Sequence, residues 1–448
     1  MGIEAPWGPG GRLSLEFPDA WRVGDEAVVE PDMAGAVGDY PAALERALDA
    51  PREIRRLEEM VRDGSRVALI VDDPSRWTPV REALPSVLKR LHNAGVAVDK
   101  VTISVGVGRH QAVDDAAMRR RLGDDVAATY RCFSPPVDDL SAYDELGTTS
   151  QGIPVRVFQP VVEADLRILI GSVLPHLQAG FGGGYKLIFP GASHRETLGA
   201  LHRQGLGRGS DAGRLLGGRA AENPMRKAIH EAARMLGPCF SISHLIGSPG
   251  MIFRVAAGRP EAVQDLLADE ARKRFEAPPA PPADVVVVGN HPWPGDPMQS
   301  FKALLHHRAA SRPGGVTVGL FWTDPEEIER SLPRSTMRLI AGSGAPGGWV
   351  IRRFVPLAER LLSVSGSPAS FMLRWARELV VDRTVLVYSP PLYERIGGRL
   401  GPVRLFADLG ELWRAAQRAL PRGRRDSPSV RVFPHGGLTY VPQRMGTP

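Results

Sequence analysis

Residues 67–105 decide the fold: Val67-Ala-Leu-Ile-Val71 is followed by an amphipathic segment from Pro79 to Ala94 and then by Val101-Thr-Ile-Ser-Val105. Short apolar runs rich in β-branched residues are typical of buried strands, and apolar residues spaced three and four apart are typical of a helix. Gly95 fits the cap that ends such a helix. A strand, a helix and a second strand in this order predict a parallel sheet.

The same alternation continues on both sides of this stretch. Before and after it we predict a strand at Arg12-Leu-Ser-Leu-Glu-Phe17, a helical segment from Pro41 to Val61 and a buried strand at Arg167-Ile-Leu-Ile-Gly171. A second series of predicted elements lies nearer the C-terminus: strands at Val285–Val288, Val316–Phe321, Val385–Tyr388 and Val430–Phe433, and helices at Glu326–Leu332 and Ser367–Leu379.

The segment Ala277-Pro-Pro-Ala-Pro-Pro-Ala283 separates the two series and predicts an extended, semi-rigid linker. We therefore expect an α/β protein of two α/β domains, with mostly parallel sheets and an active-site cleft between the domains. The predicted boundaries are residues 1–276 for the N-terminal domain, 277–283 for the linker and 284–448 for the C-terminal domain.

The composition is that of an ordinary globular protein, with 43% hydrophobic and 24% charged residues in 448. The sequence contains no apolar run long enough for a transmembrane helix, and residues 1–12 lack the apolar region of a signal peptide. Cys132 and Cys239 are too few for a disulfide framework, so we expect a cytoplasmic protein. The formal charge is +6, but acidic residues are interspersed with the basic ones and the sequence contains no RNA-binding motif. We therefore expect neither a nucleic acid nor a membrane as partner.

Lysine is rare in this chain, with six residues among 56 basic ones. Because a guanidinium stays protonated, arginine cannot replace lysine where a nucleophilic amine is needed. Lys186 and Lys302 are therefore candidates for a specific role, although composition alone does not select them.

Two polar turns follow the first two strands of the predicted sheet. In Asp72-Asp-Pro-Ser-Arg-Trp-Thr-Pro79 the helix start could hold an anion and Arg76 could hold a carboxylate; a helix cap with a surface ion pair is the alternative. In Gly106-Val-Gly-Arg-His110 the glycines allow a ligand to approach closely, and a structural histidine is the alternative. Ligands of open α/β sheets bind at this end of the strands.

The most informative stretch follows the strand at 167–171 and reads Pro175-His-Leu-Gln-Ala-Gly-Phe-Gly-Gly-Gly-Tyr-Lys186. It is neither a Walker A loop nor a Rossmann fingerprint. Four glycines before a rare lysine indicate a phosphate cradle, made by Gly182, Gly183 and Gly184, with an amine pointing inward. A flexible surface loop is the alternative.

A fourth candidate lies in the second series, where Gln299-Ser-Phe-Lys302 opens a predicted helix. Gln299 and Lys302 are three residues apart and share a helical face. They could reach a ligand across an interdomain cleft, but the pattern alone is weak.

Taken together, these stretches resemble the lactate racemase family, whose enzymes use a nickel-pincer nucleotide. The resemblance is carried by Asp72–Pro79, Gly108-Arg-His110, Leu146-Gly-Thr-Thr-Ser-Gln-Gly-Ile-Pro-Val155, Pro175–Gly191 with His202, and Gln299–Lys302, in that order. It extends from about residue 65 to residue 305; beyond that only the general α/β pattern matches.

The resemblance implies a role for each candidate residue. Lys186 is covalently joined to the nickel-pincer nucleotide (pyridinium-3-thioamide-5-thiocarboxylic acid mononucleotide nickel), and His202 is the protein ligand of nickel. The resemblance implies an acid/base pair made by His110 and His176, substrate contacts made by Arg76, Gln299 and Lys302, and cofactor contacts made by Asp73, Ser75, Thr78, Gly182, Gly183 and Gly184. The first domain then binds the cofactor and the second contributes substrate contacts.

The implied activity is that of an isomerase, a racemase or epimerase of 2-hydroxy acids. The C–H bond beside the carboxylate is a poor carbon acid, and proton-coupled hydride transfer to and from the cofactor avoids a carbanion. Two imidazoles suit the proton transfers near neutral pH. Enzymes of cofactor biosynthesis are the implied maturation partners.

The sequence also departs from the family pattern. Gln178 stands where the family often has a cysteine, Trp77 replaces a proline and Arg109 replaces a threonine, while Phe181 and Tyr185 add bulk around the glycines. These changes leave open a larger or polyhydroxylated substrate, as in a sugar-acid epimerase of the same family. A non-catalytic cofactor-binding homologue is a further alternative.

Overall fold

The computed structural model describes residues 2–108, 112–205, 215–293, 297–331, 379–380 and 383–442. The chain divides into two compact units. Met33–Lys273 forms the central unit, and Met1–Asp32 together with Arg274–Pro448 forms the terminal unit.

The strands, in chain order, are β1 Ile3–Trp7, β2 Gly11–Leu15, β3 Val67–Asp72, β4 Val101–Gly106, β5 Arg131–Phe133, β6 Tyr143–Thr148, β7 Pro154–Phe158, β8 Leu166–Val173, β9 Pro175–His176, β10 Gly180–Phe181, β11 Cys239–Ser248, β12 Met251–Gly258, β13 Ala283–Gly289, β14 Ser311–Leu320, β15 Thr384–Tyr388, β16 Arg399–Leu400, β17 Val403–Phe406 and β18 Val430–Phe433. The helices are α1 Tyr40–Asp49, α2 Val80–Asn93, α3 Asp115–Leu122, α4 Asp124–Thr129, α5 Gln159–Val162, α6 Arg195–Gln204, α7 Pro224–Ala233, α8 Pro260–Phe275, α9 Pro297–His306, α10 Pro325–Ser331, α11 Pro390–Ile396 and α12 Leu409–Ala419.

The central unit is built on a six-stranded sheet in the order β12-β11-β8-β3-β4-β5. Its strands are parallel except β12, which pairs antiparallel with β11. Apolar residues of β3 alternate between the two faces: Leu69 packs in the core that includes α2, and Ile70 packs in the core that includes α7. A sheet covered on both faces explains the continuous apolar run of the sequence. The predicted parallel α/β fold is confirmed here.

Strand order in this sheet reverses between β3 and β8. The chain passes from β3 to β4 and β5 on one side, and later returns through β8 and β11 on the other. Such a reversal leaves a crevice at the carboxyl ends of the two adjacent strands, which is where open α/β sheets bind ligands.

The helix predicted from Pro41 to Val61 is shorter in the structure. Asp39 caps α1 by accepting a hydrogen bond from Ala42 N at 2.9 Å, and the helix ends at Asp49. The residue before a proline is disfavoured in helical conformation, so Pro51 prevents the helix from continuing through Ala50.

The terminal unit is built on a second six-stranded sheet in the order β16-β17-β15-β14-β13-β18. All pairs are parallel except β16 with β17. Here the strand order reverses between β13 and β18, because the chain moves from β13 to β14 and β15 before it returns to β18 on the opposite side.

The N-terminal segment corrects the predicted boundary of the first domain. The β1–β2 hairpin and Trp21 pack in the core of the terminal unit, and isolated bridges join Arg22 to Ser429 and Val28 to Val432. Residues 1–32 were predicted to belong with 33–276, but their apolar side chains are buried against the second sheet.

The proline-rich segment does not divide the chain into its two units. Residues 277–282 form neither helix nor strand, and Ala283 already belongs to β13. Ala277 is buried and donates its N–H to Tyr440 O at 2.9 Å. The division falls before this segment, at residues 273 and 274, so proline content did not indicate the boundary.

Two further sequence predictions concern the second half of the chain. The helix predicted at Glu326–Leu332 is present as α10. The helix predicted at Ser367–Leu379 lies outside the described residues, apart from its last position. In the described part of the chain, none of the helices has the length and apolarity that a membrane crossing requires.

Candidate active site

Three candidate motifs of the central unit follow neighbouring strands. β8, β3 and β4 are adjacent, and their carboxyl ends lead into Pro175-His176, Asp72-Asp73 and Gly106-Val-Gly108. Because the strands are parallel, the motifs lie at one edge of the sheet, on both sides of the strand reversal. His110 lies outside the described residues; the segment leading to it is held where Gly108 N donates to Gly191 O at 3.1 Å.

The turn after β3 is fixed by a buried ion pair. Asp72 accepts a hydrogen bond from Thr78 Oγ1 at 2.6 Å and binds the guanidinium of Arg121, and the side chains of Asp72 and Arg121 are each 9% exposed. Arg121 also donates to the backbone carbonyls of Asp72, Arg76 and Thr78, each at 3.0 Å. Arg121 therefore holds both ends of the turn.

Within that turn, the buried Asp73 side chain accepts from Ser75 N at 2.8 Å. This Asx turn leaves Ser75 exposed and Arg76 half-buried at the carboxyl edge. The turn in which we predict an anion site is thus held by side-chain hydrogen bonds at both ends and within it.

The glycine stretch forms a compact turn over the strand ends. Gly184–Leu187 is a short 3-10 helix that carries the half-buried Lys186. Gly183, at φ 77°, adopts a left-handed conformation, and a Cβ there would lie 2.7 Å from Ser172 O. Gly106 on β4 lets the turn approach, since a Cβ there would lie 2.8 Å from Leu187 O. The alternative of a loose surface loop is therefore wrong.

A buried arginine from helix α7 binds the backbone of the glycine stretch. Arg226 on α7 is 1% exposed and donates to the carbonyls of Ala179 and Gly183 at 3.2 Å, to that of Gly182 at 3.1 Å and also to that of Phe181. Burial lowers the pKa of Arg226 to about 10, so the group stays charged at neutral pH. This places a positive charge beneath the turn that carries the predicted phosphate cradle.

His176 is held through Nδ1 in the small β9–β10 hairpin. Nδ1 lies 3.2 Å from Gln178 N and 3.1 Å from Ala179 N, both of which are donors. In the neutral imidazole the proton therefore sits on Nε2. His176 is half-buried at the carboxyl edge of the sheet.

His202 is held with the opposite tautomer. It lies on α6, where Nδ1 donates to Leu198 O at 2.7 Å, so the lone pair of the neutral ring is on Nε2. A metal-binding histidine is usually fixed in this way by a carbonyl acceptor for its other nitrogen. In the described part of the chain, no group of three or more histidine, cysteine, aspartate or glutamate side chains could hold a metal ion.

Gln178 connects the two histidines. Gln178 is 2% exposed, and its side-chain Nε2 donates to His202 O at 3.0 Å. Its backbone carbonyl accepts from Asn223 Nδ2 at 2.9 Å. Gln178, at a position where the resemblance leads us to expect a cysteine, therefore connects the end of α6 to the hairpin that carries His176.

Neither cysteine lies at this edge of the sheet. Cys239 begins β11, at the amino edge, and Cys132 lies within β5. Burial raises the pKa of Cys132 to about 11 and that of Cys239 to about 12, which keeps both thiols protonated at neutral pH.

The bulky residues of the stretch pack into the central unit. Phe181 is buried, with the guanidinium of Arg272 5.1 Å from its ring centre. Tyr185 contacts His230 edge-on and its hydroxyl lies 3.5 Å from Glu261. Both side chains therefore stabilise the turn.

The fourth candidate lies in the terminal unit, on α9 directly after β13. Gln299 belongs to this helix, and Lys302 is exposed one turn later. Asn290 Nδ2 donates to Ser300 Oγ at 2.9 Å and thereby fixes the start of α9 to the end of β13.

Residues 10–213 match the family model for the lactate racemase N-terminal domain. This region of the chain, a little under half of it, is similar to the N-terminal domain of lactate racemases. The lactate racemase of Thermoanaerobacterium thermosaccharolyticum is 26% identical over 324 residues, which are 70% of this chain and 73% of that protein. The lactate racemase of Lactiplantibacillus plantarum is 27% identical over 278 residues, which are 61% of this chain and 64% of that protein.

The fold of this chain is similar to that of solved structures. The lactate racemase apoprotein from Thermoanaerobacterium thermosaccharolyticum superposes with a TM-score of 0.79 and 22% identity, covering 99% of this chain and 100% of that chain. A protein from Thermotoga maritima gives a TM-score of 0.58 and 15% identity, covering 86% and 95%. Both sheets of the chain therefore have counterparts in known folds.

Sequence reasoning missed the two arginines that hold these motifs in place. Arg121 and Arg226 lie on α3 and α7, outside the turns that they bind. The available signal for Arg226 was its place among Met225, Ala228 and Ile229 on a helix whose apolar face is buried. A charged residue within an apolar stripe indicates buried hydrogen bonding.

Proposed function

We propose that this protein is a cytoplasmic 2-hydroxy-acid racemase or epimerase that carries a nickel-pincer nucleotide on Lys186. The observation that carries the proposal is the connection of His176 to His202 through Gln178, at the edge where the turn to Lys186 begins. The proposed proton-transfer group and the proposed metal ligand are thereby connected, within a chain whose residues 10–213 match the lactate racemase N-terminal domain.

The residues present fit the proposed cofactor. An imidazole with its lone pair on Nε2 suits nickel, and His202 is held in that form by Leu198 O. The amine of Lys186 follows a glycine turn with a buried positive charge beneath it, which suits an anionic group. The proposed cofactor contacts are Lys186, His202, Gly182, Gly183, Gly184, Asp73, Ser75 and Thr78.

The protein's own part in the reaction is to bind the acid and move a proton at its hydroxyl oxygen. When bound, the cofactor supplies the acceptor for the hydrogen on C2. His176 is held with a proton on Nε2, so it first meets the substrate oxygen as a donor. We propose His110 as its partner on the opposite face, so that each enantiomer has one imidazole to receive the hydroxyl proton. His176 can do so only from the tautomer with the lone pair on Nε2, which requires its ring to leave the two amide donors at Nδ1.

Substrate binding is proposed for three residues that carry neutral or positive donors. Arg76 can bind a carboxylate with two parallel hydrogen bonds, and Gln299 and Lys302 can donate to further oxygens. Because the cofactor must be made and attached, the enzymes of its biosynthesis are the proposed maturation partners.

The experiment follows the hydrogen on C2. Protein co-produced with the cofactor-synthesis enzymes is incubated with single enantiomers of 2-hydroxy acids deuterated at C2, and the products are separated on a chiral column. We expect both enantiomers to appear with the deuterium retained, since the hydrogen returns to the same carbon. Racemisation with loss of deuterium to water contradicts the mechanism, and cofactor binding without racemisation of any acid favours the binding-protein alternative.

A further inference from the structure

The segment Leu146–Val155 carries part of the resemblance, but the proposed function assigns no role to it. In the structure it forms the tip of the β6–β7 hairpin of the central unit. Thr149 is 4% exposed and closes the tip, since its Oγ1 accepts from Ile153 N at 3.2 Å and its N–H donates to Ile153 O at 3.0 Å. The motif therefore folds into a fixed turn between two strands.

One strand of this hairpin is joined to helix α6 by a buried threonine. Arg156 N on β7 donates to Thr197 Oγ1 at 3.0 Å, and Thr197 Oγ1 donates to Pro154 O at 2.7 Å. Threonine within a helix often bonds a carbonyl of its own helix. Here the hydroxyl of Thr197, a residue without exposed surface, instead satisfies two backbone groups of β7.

Backbone contacts fix the start of α6 beside β7 as well. His194, the N-cap residue of α6, donates its N–H to Arg156 O at 3.1 Å, and Ser193 forms an isolated antiparallel bridge with Val157. Thr197 follows in the first turn of the helix. The place at which α6 begins is therefore set by β7.

The same helix carries the proposed metal ligand near its other end. His202 Nδ1 donates to Leu198 O at 2.7 Å, and Leu198 is the residue directly after Thr197. The acceptor that orients the imidazole is thus attached to the residue that joins α6 to the hairpin. A shift of α6 against β7 would therefore move His202 with it.

Helix α7 connects the hairpin to the opposite end of α6. At one end of α7, Glu231 accepts from Ser150 N at 2.6 Å and from Ser150 Oγ at 2.8 Å, at the tip of the hairpin. At the other end, Asn223 Nδ2 donates to Gln178 O at 2.9 Å, and Gln178 Nε2 donates to His202 O at 3.0 Å. The β6–β7 hairpin, α6, the β9–β10 hairpin and α7 therefore form a closed ring of hydrogen bonds that includes His202.

We propose that Thr197 is a positioning residue for His202, and that the hairpin formed by Leu146–Val155 sets the place of the proposed nickel ligand. The proposal rests on the proposed function and deepens it by naming what controls metal binding at that site. Contacts that orient a ligating histidine contribute roughly 10–100-fold to metal affinity. The ring gives such an effect a route from the hairpin to the imidazole.

The hydroxyl group of Thr197 is the part that the proposal requires. It acts as an acceptor for one backbone group of β7 and as a donor for another, which serine can also do. Valine has nearly the shape of threonine but neither function, so Thr197→Val leaves a buried N–H and a buried carbonyl without partners. Comparison of Thr197→Val with Thr197→Ser therefore separates the hydrogen bonds from the packing.

The test measures how firmly the loaded protein holds nickel. Wild-type protein and the two variants are co-produced with the cofactor-synthesis enzymes, and the loss of nickel to a chelator is followed by metal analysis and by visible absorption. Thr197→Val should lose nickel at least about tenfold faster than the wild-type protein, whereas Thr197→Ser should stay near the wild-type rate. The absorption bands of the nickel centre should shift in Thr197→Val alone.

Thr439→Val is the matched control, because it removes an equally buried threonine of the terminal unit. Thr439 is 1% exposed, and its Oγ1 donates to His435 O at 3.1 Å and lies 3.0 Å from His307 Nε2. This variant should lower the free energy of unfolding while its nickel loss and absorption stay unchanged. Hydrogen exchange of Leu198–His202 in protein without cofactor should become faster in Thr197→Val only.

Wild-type nickel retention in Thr197→Val overturns the proposal. Equally fast loss in Thr439→Val also overturns it, since the loss would then follow from general destabilisation, and equally fast loss in Thr197→Ser removes the role of the hydroxyl. Wild-type protein that takes up neither cofactor nor nickel counts against the proposed function. Hydrogen exchange of the unloaded protein then still decides whether Thr197 holds α6, and unchanged exchange in Thr197→Val overturns the proposal by itself.

Discussion

The two histidines of the central unit differ in the backbone group that meets Nδ1. Amide donors face Nδ1 of His176, whereas a carbonyl acceptor faces Nδ1 of His202. The imidazole of His176 therefore carries a proton on Nε2, whereas that of His202 carries a lone pair on Nε2. The resemblance predicted two different roles for these residues, but sequence alone could not give the tautomers, because they depend on contacts within the hairpin and within α6.

At the same scale we predict the effect of removing the proton-transfer group. His176→Ala should lower kcat for racemisation by at least about 100-fold, the usual contribution of a positioned general acid or base. Nickel content should stay at the wild-type level, since Leu198 and Gln178 still hold His202. Chiral chromatography and metal analysis of the same samples check both expectations.

His92→Ala serves as the control, because His92 is bound to Val96 and Tyr130 away from the carboxyl edge. Full activity in His176→Ala would contradict the proposed role of this histidine. A parallel loss of nickel would assign it instead to cofactor binding.

At the scale of elements, each of the two turns of the central unit is held by an arginine from a separate helix. Arg121 donates to three carbonyls of the turn after β3, and Arg226 donates to four carbonyls of the glycine stretch. Arg121 has Asp72 as its ion-pair partner, and Arg226 binds its stretch through backbone carbonyls. The motifs themselves could be recognised in the sequence, but the two arginines that hold them lie up to 49 and 47 positions away from the residues that they bind.

Removal of the Arg226 guanidinium should loosen the glycine stretch. Arg226→Met fills a similar volume but leaves buried carbonyls without donors, and it should lower the free energy of unfolding by roughly 3 kcal/mol or more. Nickel and cofactor content should fall with it, because Lys186 is no longer presented in a fixed turn. Urea unfolding and intact mass measure the two effects.

Arg226→Lys keeps the charge but offers one ammonium group to carbonyls that the guanidinium spans, so an intermediate loss is expected. Wild-type cofactor content in Arg226→Met would contradict this prediction, because the glycine turn would then form without the guanidinium of Arg226.

At the scale of the whole molecule, the sequence predicted two mostly parallel sheets in an α/β protein, and the structure confirms them. The division of the chain was not predictable from composition, since the Pro-rich segment 277–283 lies within the terminal unit. The N-terminal hairpin belongs to the terminal unit because the sheet of that unit buries its apolar side chains. A period-two pattern of apolar residues predicts a strand but does not indicate which sheet will cover it. The boundary is a property of packing between segments far apart in sequence.

The assignment of residues 1–32 to the terminal unit predicts a local loss of stability. Trp21 packs against Phe17 and Trp413, so Trp21→Ala should cost about 3–5 kcal/mol in that unit. Hydrogen exchange should become faster in β13 and β18 and stay unchanged in β3 and β8. Tyr393→Ala, at an exposed side chain, is the control. Faster exchange confined to β3 and β8 would reverse the assignment.

The central claim is that Lys186 carries the cofactor, and intact mass with nickel content tests it most directly. Wild-type protein, Lys186→Ala and the exposed-lysine control Lys227→Ala are each co-produced with the cofactor-synthesis enzymes. We expect a mass increase of cofactor size with bound nickel in the wild-type protein and in Lys227→Ala, and neither in Lys186→Ala. An unmodified, nickel-free wild-type protein, or a modification that persists in Lys186→Ala, would contradict the claim.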